Sequence, residues 1–314
     1  MDASKVKRIV VVGAGTMGHS IAQVFAQAGI EAGLVDLDDD LLGRARTLVE
    51  SNLRTLADHG RVAADEIPSI LDRIDFTTDL EAAANGVDFA IEAVAEAPEV
   101  KKEIFRRLDE WCPPGAVLAS NTSTLDIFSI AQTGQPERLV VAHWFAPPHI
   151  IPLVEVSPGP QTSDETVDFT SKLMKRIGKR PVVMKQFVPS FIVNRIQNAI
   201  FFTVLEILGN GWASIEDIDV AVKTSLGIRL PIVGVVQTLD FTGLNLIYDI
   251  LKSAGIDPPP VIAERVDKGH LGASTSKGMY DYGERSEAQI LRKRDNLYLK
   301  VLDLLEKSNA FEPV

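Results

Sequence analysis

In HWFAPPHIIPLVEV, residues 143–156, His143 precedes Glu155 by twelve positions, with three prolines and two aromatics between them. A histidine carries protons near neutral pH, and an adjacent carboxylate fixes its tautomer and stabilises the imidazolium that forms. The two can meet only if the chain reverses through APPHIIP, which its prolines and length favour. The same spacing suits a histidine capping a turn and a glutamate on an ordinary half-exposed strand, since Glu155 stands between Val154 and Val156 and by alternation faces away from them. Ser123, in SNTST, can donate a hydrogen bond to an alcohol or ketone oxygen, with Asn121 two residues earlier on the same strand; either is equally a turn residue. Asn194 falls in the apolar helix FIVNRI, where an amide buried without partners costs about 1–3 kcal/mol. It therefore contacts either a bound molecule or a neighbouring helix.

A proton carrier of this kind accompanies hydride transfer to a nucleotide, and the amino-terminal residues have the form of a nucleotide site. RIVVVGAG is an apolar strand over 8–12 running into glycines, TMGHSIAQVFAQAG has helical spacing, and EAGLVDLD is a second strand ending in an acid. In such a βαβ unit Gly13 permits the tight turn, Gly15 lets a pyrophosphate approach the backbone, and Gly18 lets the helix pack closely. Thr16 and Met17 complete the turn, and the helix amino terminus offers unpaired N–H groups to the phosphates. Asp36, 23 residues after Gly13, can accept both ribose hydroxyls of NAD and would repel the extra phosphate of NADP; no arginine stands beside it. NAD is the expected cofactor, and no metal is expected.

The elements that must position these groups divide the chain in two. Extended segments recur at 74–80, 87–94, 116–123, LVVAHWF and IPLVEVSP, with His143 just after VVA; a helix over 164–177 and the strand PVVM close the first half. Glu92, Glu96, Asn121, Ser123 and His143 gather where such strands end, the usual place for ligands in an open α/β sheet. From FIVNRIQNAIFFTVLEILGNG onward the pattern is helical, with further helices near 233–253, 259–268 and 285–308. The first of these is apolar on most of its circumference, which predicts burial on nearly every side, within its own domain or against a partner chain. The fold class is α/β: a Rossmann-type, mostly parallel sheet domain over 1–187, then an all-helical substrate and dimerisation domain over 188–314. A homodimer is expected.

Composition excludes several classes. The 314 residues carry a formal charge of −11, which disfavours a nucleic-acid groove or an anionic membrane surface. The segment before the first strand is too short and too charged for a signal peptide, and no apolar run reaches the length of a membrane span. One cysteine, Cys112, allows no internal disulfide, and a cytoplasmic location is expected.

Taken together, VVGAGTMGHSIAQVFAQAG, ASNTSTL, HWFAPPHIIPLVEV, FIVNRI, ASIEDID and LDFTGLN resemble the short-chain L-3-hydroxyacyl-CoA dehydrogenase family, in the broad sense that includes relatives acting on free acids. The resemblance implies that His143 is the general acid/base and that Glu155 orients it. It also implies that Ser123 binds the substrate hydroxyl, that Asn194 lines the substrate carbonyl site, and that Glu96 lies near the nicotinamide. The implied activity is NAD-dependent oxidation of a 3-hydroxyacyl-CoA. Local departures, Ala146, Ala97 and PPHIIP with its extra His149, resemble instead relatives acting on small free acids, including a pyridine-carboxylate dehydrogenase; RIQNAI and LGIRLP resemble L-gulonate 3-dehydrogenase. A carnitine-type free acid belongs with this alternative. A crystallin-like or NAD-sensing protein without catalysis would not require Ser123, His143, Glu155 and Asn194 together.

Overall fold

A computed structural model describes residues 1–312. The chain forms two compact units, Met1–Ala199 and a second that begins at Ile200. The first contains β1 (Arg8–Val12), α1 (Gly18–Gln27), β2 (Glu31–Val35), α2 (Asp39–Asp58), α3 (Ile67–Leu71), β3 (Ile74–Thr77) and α4 (Leu80–Ala84). There follow β4 (Phe89–Glu92), α5 (Pro98–Trp111), β5 (Val117–Ser120), α6 (Ile127–Ile130), β6 (Leu139–Trp144), β7 (Leu153–Pro158), α7 (Asp164–Arg176) and β8 (Arg180–Val183).

The eight strands make one sheet in the order β3-β2-β1-β4-β5-β6-β7-β8, and only the β6–β7 pair is antiparallel. Its central strands are near-continuous apolar runs because both faces are covered. Alternation splits each strand between two cores. Ile9 and Val11 pack with Phe25 of α1, Leu53 of α2 and Leu173 of α7, while Val10 and Val12 pack with Phe105 and Leu108 of α5. Two strands end elsewhere than the sequence suggests. β5 stops at Ser120, so Asn121 and Ser123 lie on the following loop and not on the strand. β6 continues through Trp144, so His143 is within a strand and not beyond one.

α8 (Val193–Gly209) spans the division between the units, and of its two expected settings it lacks the first, burial within its own domain: none of its residues is buried, and Phe201, Phe202 and Leu205 are 53%, 70% and 63% exposed. Its composition is that of a covered helix, yet its apolar side chains are exposed among the described residues. The remaining helices are α9 (Ile215–Ala221), α10 (Gly227–Thr242), α11 (Leu244–Ser253), α12 (Pro260–Asp267) and α13 (Glu287–Lys307). Gly243, at φ +95°, separates α10 from α11, and Gly234, at φ +64°, kinks α10 itself, where one helical stretch is expected, because a residue at positive φ cannot continue a right-handed helix. This unit is pinned at Asp240, 2% exposed, which accepts hydrogen bonds from the amides of Met279 and Tyr280 and the Tyr282 hydroxyl at 2.6, 3.0 and 2.9 Å. Among the described residues no single helix is long and apolar enough to cross a membrane.

Candidate active site and nucleotide cradle

The turn after β1 is built for close approach. Gly13 has φ +102° and donates its N–H to the Val35 carbonyl at 2.7 Å. A Cβ on Gly18 would lie 1.6 Å from the Gly13 carbonyl oxygen, so only glycine lets α1 begin so near the turn. A Cβ on Gly15 would meet nothing within 4 Å: space lies open above it, with Thr16 exposed and Met17 half-buried beside it. No side chain caps the amino terminus of α1, and its first N–H groups remain available to an anion. Asp36, just beyond β2, accepts from the Ala14 amide at 2.6 Å with one oxygen and from the Leu37 amide at 2.7 Å with the other. Each oxygen keeps a further lone pair for a ribose hydroxyl. An open glycine turn, an uncapped helix and a half-buried acid fit a dinucleotide.

The proton pair is set by strand register. His143 stands directly opposite Glu155 in the β6–β7 ladder. Nδ1 of His143 donates to Oε2 of Glu155 at 2.9 Å, and the two residues are 3% and 1% exposed. β7 is therefore not a half-exposed strand, since Val154 and Val156 are also fully buried on its other face. The second oxygen of Glu155 accepts the backbone amides of Ile192 and Val193 at 3.0 and 2.9 Å. Those amides are aimed by a left-handed turn, Ser190 at φ +65° and Phe191 at φ +48°. The rings of Phe191 and Phe145 lie 5.0 and 4.5 Å from the imidazole. With Nδ1 donating to Glu155, Nε2 carries a lone pair, and the Ser123 hydroxyl faces it at 3.3 Å.

The loop bearing Ser123 is held from two sides. Asn121 accepts the Trp144 amide at 2.8 Å, tying the loop to β6. Glu96 gathers the amides of Ser123 and Thr124 and the Thr122 hydroxyl on one oxygen, at 2.9, 3.0 and 2.6 Å. Burial pushes the Glu96 carboxyl up, but the Thr122 hydroxyl and the Lys101 ammonium outweigh it and hold it at about 2. Asn194 is half-buried, its amide 3.5 Å from the Ser123 carbonyl. Ser123, His143, Glu155 and Asn194 thus form one connected group.

Other residues stand differently from expectation. His149, which the PPHIIP departure introduces, is half-buried: its Nδ1 meets the Ser20 hydroxyl of α1 at 2.8 Å, and burial, then the neighbouring His19 and Lys179, push its imidazole down. It is bonded to the nucleotide-binding helix and not to the His143–Glu155 pair. Arg106 and Arg107, cations of α5 that a phosphate-bearing ligand could use, are paired with Glu103 and Glu110 of their own helix. Lys101 and Lys179, both buried, escape a sequence reading that treats charged residues as solvated. Cys112 ends α5 buried, which pushes its thiol up to about 12.

Residues 8–187 match the family described as 3-hydroxyacyl-CoA dehydrogenase, NAD binding domain, and residues 191–282 match 3-hydroxyacyl-CoA dehydrogenase, C-terminal domain. A 5-formyl-3-hydroxy-2-methylpyridine 4-carboxylate 5-dehydrogenase of Mesorhizobium japonicum is 30% identical over 309 residues, 96% of this chain and 99% of that one. The mitochondrial hydroxyacyl-coenzyme A dehydrogenase of Homo sapiens is 35% identical over 291 residues, 88% of this chain and 91% of that one. The crystal structure of a 3-hydroxyacyl-CoA dehydrogenase from Archaeoglobus fulgidus is similar at a TM-score of 0.81 and 30% identity, covering 96% of this chain and 99% of that one. Both halves of the sequence are accounted for, and the chain belongs to the 3-hydroxyacyl-CoA dehydrogenase family of NAD-dependent dehydrogenases.

Proposed function

We propose that this dehydrogenase oxidises a 3-hydroxyacyl-CoA to the 3-oxoacyl-CoA, with His143 accepting the hydroxyl proton. The observation that carries this reading is the orientation of the imidazole: Nδ1 is committed to Glu155 while Nε2 faces Ser123. In this reading the Ser123 hydroxyl orients the substrate oxygen, His143 Nε2 takes its proton, and Glu155 stabilises the imidazolium. Phe145 and Phe191 flank the imidazole and limit water around it. Asn194 serves the substrate carbonyl, and Glu96 backs the loop on the nicotinamide side. NAD, held by Gly13, Gly15, Thr16, Met17, Gly18 and Asp36, supplies the hydride acceptor when bound.

The helical residues from 188 onward are assigned to substrate and dimer contacts in a cytoplasmic homodimer. The exposed apolar side chains of α8 support the pairing, and a single-chain mass in sedimentation equilibrium at micromolar concentration would refute it. A second reading, a small free hydroxy acid as substrate, is favoured by the end-to-end similarity to the Mesorhizobium enzyme and by the paired state of Arg106 and Arg107. NAD reduction with short 3-hydroxyacyl-CoAs, beside gulonate, carnitine, 3-hydroxybutyrate and hydroxymethylpyridine carboxylates, separates the two. Turnover of the thioesters is expected; turnover of a free acid alone would overturn the first reading.

A further inference from the structure

α5 turns Lys101, Phe105 and Leu108 inward, the spacing of a core-facing helical stripe, and one of the three is a lysine. Its side chain is only 1% exposed, and a buried ammonium persists only when paired. Nζ donates to both oxygens of Glu92 at 2.9 and 2.8 Å and lies 3.1 Å from Oε2 of Glu96. Two carboxylates therefore share one cation, and both lead to the same loop. Glu92 accepts the Ser120 hydroxyl, whose oxygen accepts the Thr122 amide at 3.0 Å. Glu96 holds the Thr122 hydroxyl and the amides of Ser123 and Thr124. Burial pushes the Glu92 carboxyl up, against the pull of Lys101. A contact with Glu92 alone would only fasten α5 to β4; the contact with Glu96 reaches the site.

We propose that Lys101 is a positioning residue for hydride transfer: acting through Glu96, it holds the 122–124 loop so that the Ser123 hydroxyl stays opposite Nε2 of His143. This rests on the reading that Ser123 orients the substrate oxygen. Without the ammonium, Oε2 of Glu96 faces the Glu92 carboxylate with no cation between them, and the repulsion is relieved by moving Glu96 together with the amides it holds.

A double-mutant cycle tests this, using Lys101→Met, Ser123→Ala and their combination. Turnover is followed as NAD reduction with 3-hydroxybutyryl-CoA, or with the free hydroxy acid that proves active, each variant relative to the unmutated enzyme on the same substrate. Lys101→Met is expected to lower kcat by about 10–100-fold, the scale of loss when a positioned group is displaced, with the KM for NAD little changed. On the Ser123→Ala background the same change is expected to lower kcat by less than about threefold, because the group it positions is gone. Independent, multiplying losses would overturn the proposal, as would a Lys101→Met enzyme altered only in KM for NAD. An undiminished kcat in Ser123→Ala alone would instead remove the role of Ser123 on which the proposal rests. Should Lys101→Met fail to fold, Thr122→Val loosens the same anchor at Glu96, and its loss must likewise vanish on the Ser123→Ala background; a multiplying loss overturns anchoring through Glu96.

Discussion

Replacing Glu155 by glutamine changes almost no volume and removes one charge, which makes it the sharpest probe of the proton pair. In the native arrangement one carboxylate oxygen accepts from Nδ1 of His143 and the other from the amides of Ile192 and Val193. A glutamine must turn its NH₂ toward one set of partners. Facing the two amides, it opposes donors to donors and leaves buried N–H groups unsatisfied at about 1–3 kcal/mol each. Facing His143, it forces Nδ1 to accept and moves the ring proton to Nε2, the atom proposed to receive the substrate proton. The second arrangement is the cheaper, so the variant folds with the wrong tautomer. The charge is lost as well: unit charges about 4 Å apart at an effective dielectric near 20 interact by about 4 kcal/mol, equivalent to roughly 10³ in rate. Glu155→Gln is therefore expected to lower kcat by about 10²–10⁴, with KM for NAD and cooperative thermal unfolding close to those of the unmutated enzyme. Steady-state NAD reduction and a thermal melt measure both. A kcat within about threefold of the original, with the variant folded and NAD-saturated, would refute the reasoning.

Asp36→Ala removes a charged acceptor for the ribose and the bond to the Ala14 amide, so kcat/KM for NAD is expected to fall about 10–100-fold and the margin over NADP to narrow; unchanged discrimination would count against the cradle. Burial draws Lys179 from the ordinary 10.5 to about 8. Between those values the unfolded chain binds more protons than the folded one, so this group adds stability as pH rises through that window, and below it the cost of the buried charge is fully present. Urea midpoints of the native enzyme and Lys179→Met, followed across the window, should diverge in favour of the native enzyme, and parallel curves would exclude the effect.

How far the sequence carries these conclusions differs by element. The cradle is legible because its signal is local: an apolar run, three glycines and a distal acid occupy one βαβ unit, and each glycine answers a steric demand found there. The His143–Glu155 contact is less so. Spacing and prolines imply a reversal, yet a slip of one residue in the β6–β7 ladder would turn Glu155 to the opposite face, and register follows from the whole strand. α8 is legible only in part: composition reports an apolar surface and leaves open whether the same chain or a partner covers it. Lys101 does leave a trace. It occupies an inward position of an otherwise apolar stripe, and a lysine there demands a carboxylate, which Glu92 and Glu96 supply.

The antiparallel pairing of β6 and β7 also separates what can vary in this scaffold from what cannot. The ladder clamps both ends of the hairpin, so the distance between base and acid does not depend on the residues at its tip. Ala146, Pro147 and Ile150 lie exposed on that tip, directly after the base. Descent can therefore redraw the tip while the contact between His143 and Glu155 is inherited intact. An insertion within β7 has the opposite outcome: one added residue before Glu155 would rotate the acid away from its histidine, and the lineage would keep its glycine turn but lose the pair on which the proposed proton transfer depends.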